Sequence, residues 1–235
     1  MKLLKKGNIV PVLYVAGISI SDNIKDTPAK TLDIISKCTV AVGEERSTAL
    51  KLLSAAKSSA ELYLINEHTE DNERIEILKA VESAEYSVLF SDAGTPCISD
   101  PDYKFISMCR DKGVIIKSLP GASSITSAVS VSGINAKTFF FAGFPPREAG
   151  KRRQFFENIE KSKVTTVFME RPYSLTATLK DMSFFKRKVS ISINLGCHDE
   201  ATYYDYPNKL LEKLAGVKAP FVIVAGGKIE KNHKK

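Results

Sequence analysis

Residues 87–101 read SVLFSDAGTPCISDP. The opening SVLF is short and apolar, without polar alternation, as a strand buried on both faces of a parallel sheet reads. The chain then turns at once into residues 91–101, which carry Gly94, the hydroxyls of Thr95 and Ser99, the carboxylates of Asp92 and Asp100, and two prolines. In open α/β sheets ligands bind at the carboxyl ends of the strands, so this junction is the first place to look for a site. Gly94 allows close backbone approach to a ligand. Ser99 or Asp100 as a helix cap, with Pro101 in the first turn, accounts for the end of the loop. Capping leaves the dense polar stretch before it unexplained.

The same strand-to-helix alternation extends in both directions. Upstream, strands are expected over residues 9–16 (IVPVLYVA), 38–43 (CTVAVG) and 61–65. Between them fall helices over 47–57 and 71–83, the latter placing Ile75, Leu78 and Val81 at helical spacing. Thr27 and Pro28 read as the cap and first residue of another helix. Downstream, a helix over 103–112 leads to a strand over 114–119. This pattern predicts an α/β fold with a mostly parallel sheet.

Leu119-Pro120-Gly121 reads as a joint, giving one domain over 1–118 and a second over 122–235. In the second, helices are expected over 123–131, 148–161, 174–181 and 208–215, and strands over 138–142, 164–169, 188–195, 201–206 and 221–225. No helix separates 188–195 from 201–206. That pair predicts a hairpin and so a mixed sheet.

Bulk composition narrows the function classes. The chain has 235 residues, 43% hydrophobic and 26% charged, which fits globular domains with real cores. A formal charge of +7 favours anionic partners without requiring them, and a solubilising basic surface explains it equally. The four cysteines form no CxxC pair and no histidine stands at zinc-finger spacing, so no metal is expected. No run approaches the roughly 20 apolar residues of a membrane span, and a cytoplasmic protein is expected. Neither GxGxxG nor a Walker loop follows the first strand.

Six stretches together resemble the tetrapyrrole methylase superfamily: LYV (13–15), NEHTE (66–70), SDAGTPCISDP (91–101), LPGASS (119–124), AGFPPR (142–147) and VFMERPYSL (167–175). They occur in the family's order and span most of the chain. Within the superfamily they are most similar to the branch that methylates a cytidine ribose 2′-hydroxyl of small-subunit rRNA. The resemblance implies two α/β domains, a homodimer, and S-adenosylmethionine held in the cleft between domains. Carried over position by position, the cofactor residues would be Gly94, Thr95 and Ile98, then Ser123 and Ser124, Met169 and Ala225. Arg147, Arg152 and Arg153 would meet RNA phosphates, with Lys151 beside them.

The chain also departs from the pattern. The family's TPIGNL loop is here ISISDN (18–23), EDTR is Gly43-Glu44-Glu45-Arg46, and the ARELTK-like stretch is SINLGC (192–197). The rRNA branch usually continues beyond the stretch equivalent to 221–227 into a small extension. The cofactor side is better kept than the acceptor side. An oxygen acceptor must lose a proton, and the candidates to take it are Glu44, Glu45, Glu67, His68 and Asp92. Glu67 and His68 are equally explained as a loop hydrogen-bond network, and Arg46 as a substrate clamp or a structural ion pair. Methylation of a tetrapyrrole or other small molecule, and cofactor binding without catalysis in an RNA-binding or regulatory protein, stay open beside the rRNA reading.

Overall fold

The computed structural model describes residues 10–99 and 102–228, which form two compact units divided between Ser123 and Ser124. In unit 1 the strands are β1 (Val12–Ala16), β2 (Val40–Gly43), β3 (Glu61–Leu64), β4 (Tyr86–Leu89) and β5 (Ile115–Leu119). All pairings are parallel, in the order β3-β2-β4-β1-β5. Successive residues face opposite layers. Leu13, Val40, Val42 and Leu89 pack with Ile77, Leu78 and Val81 of α3 (Asp71–Ser83) and Phe105 of α4 (Tyr103–Asp111). Ala16, Ala41 and Val88 pack with Ile35 of α1 (Ala29–Lys37) and Leu52 and Leu53 of α2 (Arg46–Ala55). Two covered faces explain why the central strands read as unbroken apolar runs.

Unit 2 carries the expected mixed sheet, β6-β7-β10-β8-β9. Here β6 (Phe139–Phe141) runs parallel to β7 (Thr165–Glu170), while β10 (Phe221–Ala225) lies antiparallel to β7 and to β8 (Val189–Ile193). The expected hairpin forms: β8 pairs antiparallel with β9 (Ala201–Asp205). One face packs on α6 (Ala149–Lys161), α7 (Leu175–Asp181) and α8 (Pro207–Leu214), with Phe156 and Phe168 edge to face at 5.8 Å. Ahead of them, α5 (Ser124–Val131) lies against β10, β7 and β8.

Three local expectations need correction. The first strand starts at Val12 because Pro11 has no N–H to give the ladder, although its carbonyl accepts from Ile115 at 2.9 Å. Thr27 does not cap α1; it closes a 3₁₀ turn (Ile24–Asp26), and its hydroxyl accepts the Ser19 N–H at 3.1 Å. The loop needed a buried partner more than the helix needed a cap. Finally, α4 is preceded by Asp102 as its cap residue, and Ser99 sits at φ +69°. Asp100 and Pro101 lie outside the described residues.

Candidate active site

The loops after β1, β4 and β5 leave the same edge of the unit 1 sheet because those strands are adjacent and parallel. They are tied by backbone bonds: Gly17 N–H to Leu119 O at 2.9 Å, Ile18 N–H to Gly94 O at 2.8 Å, and Gly94 N–H to Ser19 O at 3.1 Å. Thr95 Oγ1 donates to Ala122 O at 3.0 Å. Gly94 holds φ +74°, where a side chain is strained, and a Cβ there would stand 3.1 Å from Ile20 Cγ2. A Cβ on Gly17 would stand 2.6 Å from the Gly121 nitrogen. The first and last loops therefore meet backbone to backbone, which only this pair of glycines permits.

The altered ISISDN loop is braced by its own side chains. Ser19 and Ser21 hydroxyls lie 2.8 Å apart, Ser21 donates to Asp26 at 2.6 Å, and Asn23 donates to the same carboxylate at 3.1 Å. This loop is thus held by a network of hydroxyls, an amide and a carboxylate. At the neighbouring β2 end, Asp92 accepts the Glu45 N–H at 3.1 Å. Burial pushes the Asp92 carboxyl above its ordinary value, and the nearby Glu45 charge adds to this. The hydrogen bonds from the Glu45 backbone and the Thr48 side chain oppose it. Glu44 is half-buried, Glu45 exposed, and Arg46 exposed as the first residue of α2.

The other acid–base candidates stand apart from this cluster's chemistry. Glu67 and His68 are 3.6 Å apart with side chains 82% and 85% exposed. Asn66 Oδ1 accepts the His68 N–H at 2.9 Å, and the Glu73 carboxylate accepts the Glu70 N–H at 2.8 Å. Asn66, Thr69 and Glu70 thus form a turn and helix cap, in which the Glu67 and His68 side chains are given only their contact with each other. Ile98 is 37% exposed.

In unit 2, Ser124 opens α5 and its hydroxyl lies 3.5 Å from Met169 Sδ. Register separates Ala225 from that pair: Ala225 faces Thr166, whereas Met169 faces Val222. The SINLGC turn follows β8 at the Met169 end, since Ile193 faces Phe221 and Phe221 faces Glu170. Asn194 bonds Asp199 at 2.6 Å there.

Arg152 is a correction to the expected RNA-facing set. Its guanidinium bonds Glu170 and Asp181, each at 2.6 Å, and Thr178 at 3.1 Å, and it lies 5.3 Å from the Phe156 ring centroid. Two carboxylates, the buried Glu170 and the partly exposed Asp181, claim its donors. Arg153 pairs with Glu157 and Lys151 with Glu148, both remaining well exposed, and Arg147 is exposed before α6. Among the described residues no group of three or more His, Cys, Asp or Glu is placed to hold a metal, and no helix is long and apolar enough to cross a membrane.

A family model described as Tetrapyrrole (Corrin/Porphyrin) Methylases matches residues 12–205. The chain belongs to the tetrapyrrole methylase family. It is 31% identical over 175 residues to ribosomal RNA small subunit methyltransferase I of Vibrio cholerae, covering 74% of this chain and 60% of that one. It is 29% identical over 227 residues to the protein of the same name from Halalkalibacterium halodurans, covering 93% and 77%. Among solved structures, a cobalt precorrin-4 methyltransferase of cobalamin biosynthesis superposes with a TM-score of 0.67 at 17% identity, over 96% of this chain and 98% of that one. That superposition establishes the shared fold of this tetrapyrrole methylase.

Each unit by itself offers donor types that suit part of a nucleoside cofactor with a charged amino-acid tail. Unit 1 gathers glycine-lined backbone and the Thr95 hydroxyl at the β1, β4 and β5 loops, and in unit 2 a helix begins at Ser124 with a polarizable thioether beside its hydroxyl.

Proposed function

We propose that this methylase transfers a methyl group to a ribose 2′-hydroxyl of small-subunit rRNA, with S-adenosylmethionine as donor. The reading rests on relatives named for small-subunit rRNA that align over 74% and 93% of this chain. On this reading Gly94, Thr95, Ile98, Ser123, Ser124 and Met169 hold the cofactor, while Ala225, three pairs along the ladder from Met169 and buried in the unit 2 core, does not. The N–H groups at the start of α5, which lack intrahelical partners, suit its carboxylate. The cofactor supplies an activated methyl sulfonium, so the chain's own work is positioning, water exclusion and removal of one proton.

Asp92 takes that proton. Of the five candidates it combines partial burial, a raised carboxyl and a place in the stitched loop cluster. A raised carboxyl is a stronger base than an exposed one. Arg46, Arg147 and Arg153 face solvent and are available to phosphates. The same reading has the enzyme act in the cytoplasm as a homodimer.

The test is incubation with methyl-labelled S-adenosylmethionine and small-subunit rRNA from a strain lacking the cognate modification. Label is expected in an alkali-stable dinucleotide, because a methylated 2′-oxygen cannot attack the adjacent phosphate. Label that appears only in an added tetrapyrrole, or in no RNA despite measured cofactor binding, rejects the proposal.

A further inference from the structure

At the end of the unit 2 sheet away from Met169 lies an open recess of about 520 Å³. Its walls come from segments far apart in sequence: Lys137 after α5, Lys163 before β7, Arg187 and Lys188 before β8, Tyr204 on β9, and Lys228 after β10. Register fixes the separation. The recess reaches Thr165, four residues along β7 from Met169, or roughly 13 Å at about 3.3 Å per residue.

Its electrostatics are one-sided. Among the described residues, five cationic side chains line it and no carboxylate does. Two acids outside the lining, Glu160 and Asp205, pair with cations that line it. Glu160 pairs with Arg187 at 3.3 Å and Lys228 at 3.1 Å, and Asp205 is 3.9 Å from Lys188. Each acid is shared by two cations, Glu160 by Arg187 and Lys228 and Asp205 by Lys188 and Lys213, and Lys137 has no ion pair among the described residues. In the stretch 147–153, Lys151, Arg152 and Arg153 each have a carboxylate that no other cation of the stretch shares.

The recess also offers an aromatic face. Tyr204 is 56% exposed, and the Lys188 ammonium stands 5.5 Å from its ring centroid and 5.9 Å from that of Tyr206. Spread cations beside exposed rings are the elements of a single-strand binder, in which ammonium groups meet phosphates and rings stack bases.

We infer that this recess is an RNA-binding surface, holding backbone phosphates on Lys137, Lys188 and Lys228 and stacking a base on Tyr204. The inference rests on the rRNA reading above, and deepens it by placing substrate contacts at the opposite end of unit 2 from Met169. The full chain is titrated with a fluorescent single-stranded RNA between 50 and about 300 mM salt. K137Q/K188Q/K228Q is expected to bind at least ten-fold more weakly, with the log–log salt slope reduced by about 2, since each single-strand phosphate contact contributes about 0.7. Y204A is expected to bind roughly ten-fold more weakly with the slope unchanged. Melting curves control for folding, and K137Q/K188Q, which leaves the Glu160 pairing intact, serves if the triple variant is unstable. Wild-type protein that methylates RNA while both variants keep wild-type affinity overturns this surface alone. Wild-type protein that binds no RNA sinks the rRNA reading and this surface together.

Discussion

Gly17 and Gly121 have no room for a methyl group. Gly17→Ala places its Cβ 2.6 Å from the partner nitrogen, a clash with backbone that no rotamer relieves. The expected loss is about 2 kcal/mol, seen as a fall of roughly 4–8 °C in melting temperature. Asp92 can be dissected similarly. Its raised carboxyl means the fold favours the protonated form, so this contribution is complete below the ordinary carboxyl range near pH 4 and is lost as pH rises through the higher folded value. Asp92→Asn keeps an acceptor for the Glu45 N–H. The variant is expected to flatten that acid-range decline in denaturant titrations while slowing methyl transfer about 100-fold or more. Cysteine chemistry gives a third check. Burial pushes the Cys38 and Cys109 thiols up to about 12, so iodoacetamide at pH 8 is expected to spare both in the native protein. Peptide mapping should find native label only on the half-buried Cys97 and Cys197, and on all four after denaturation.

At the level of elements, Arg152 ties α6 to β7 and α7 through Glu170 and Asp181. Arg152→Ala leaves Glu170, 5% exposed, without its partner, and the expected cost is about 3 kcal/mol. Arg152→Lys should recover only part, because an ammonium cannot reproduce the fork. Calorimetric melting measures both. Elements were also where the sequence was most readable. Asp71–Ser83 and Phe221–Ala225 fall where apolar spacing predicts them, because periodicity reports burial directly. Helix starts were less legible: Thr27 carries the composition of a cap, yet bonds Ser19 eight residues back, a tertiary demand invisible to local pattern. The loop at 91–101 was legible because its glycine, hydroxyls and prolines are contiguous. Arg152 reads in sequence as one of a solvent-facing set, because charge has the same signature whether it faces solvent or a buried carboxylate. The recess left no sequence signal, since its cations are drawn from positions 137 to 228 by strand pairing alone.

For the whole molecule, two units with separate cores are expected to respond separately. Unit 1 holds its apolar clusters on both faces of the parallel sheet, and unit 2 holds its own around Phe156, Phe168 and Leu179. Hydrogen exchange on the two destabilised variants should show Gly17→Ala loosening amides of unit 1 and Arg152→Ala those of unit 2. Uniform loosening across both units by either variant would contradict this.

The strand order of unit 1 has a consequence for biosynthesis. β1 lies between β4 and β5, so this early strand finds both its hydrogen-bonding neighbours in the last two strands of unit 1 to be made. Gly17 cannot meet Gly121 until about half the chain exists. Through that interval Val12–Ala16, apolar and unpaired on both edges, is a nascent segment with no native place to go. Chaperone occupancy during translation should therefore peak before residue 119 emerges and drop soon after, when the sheet can close around its centre.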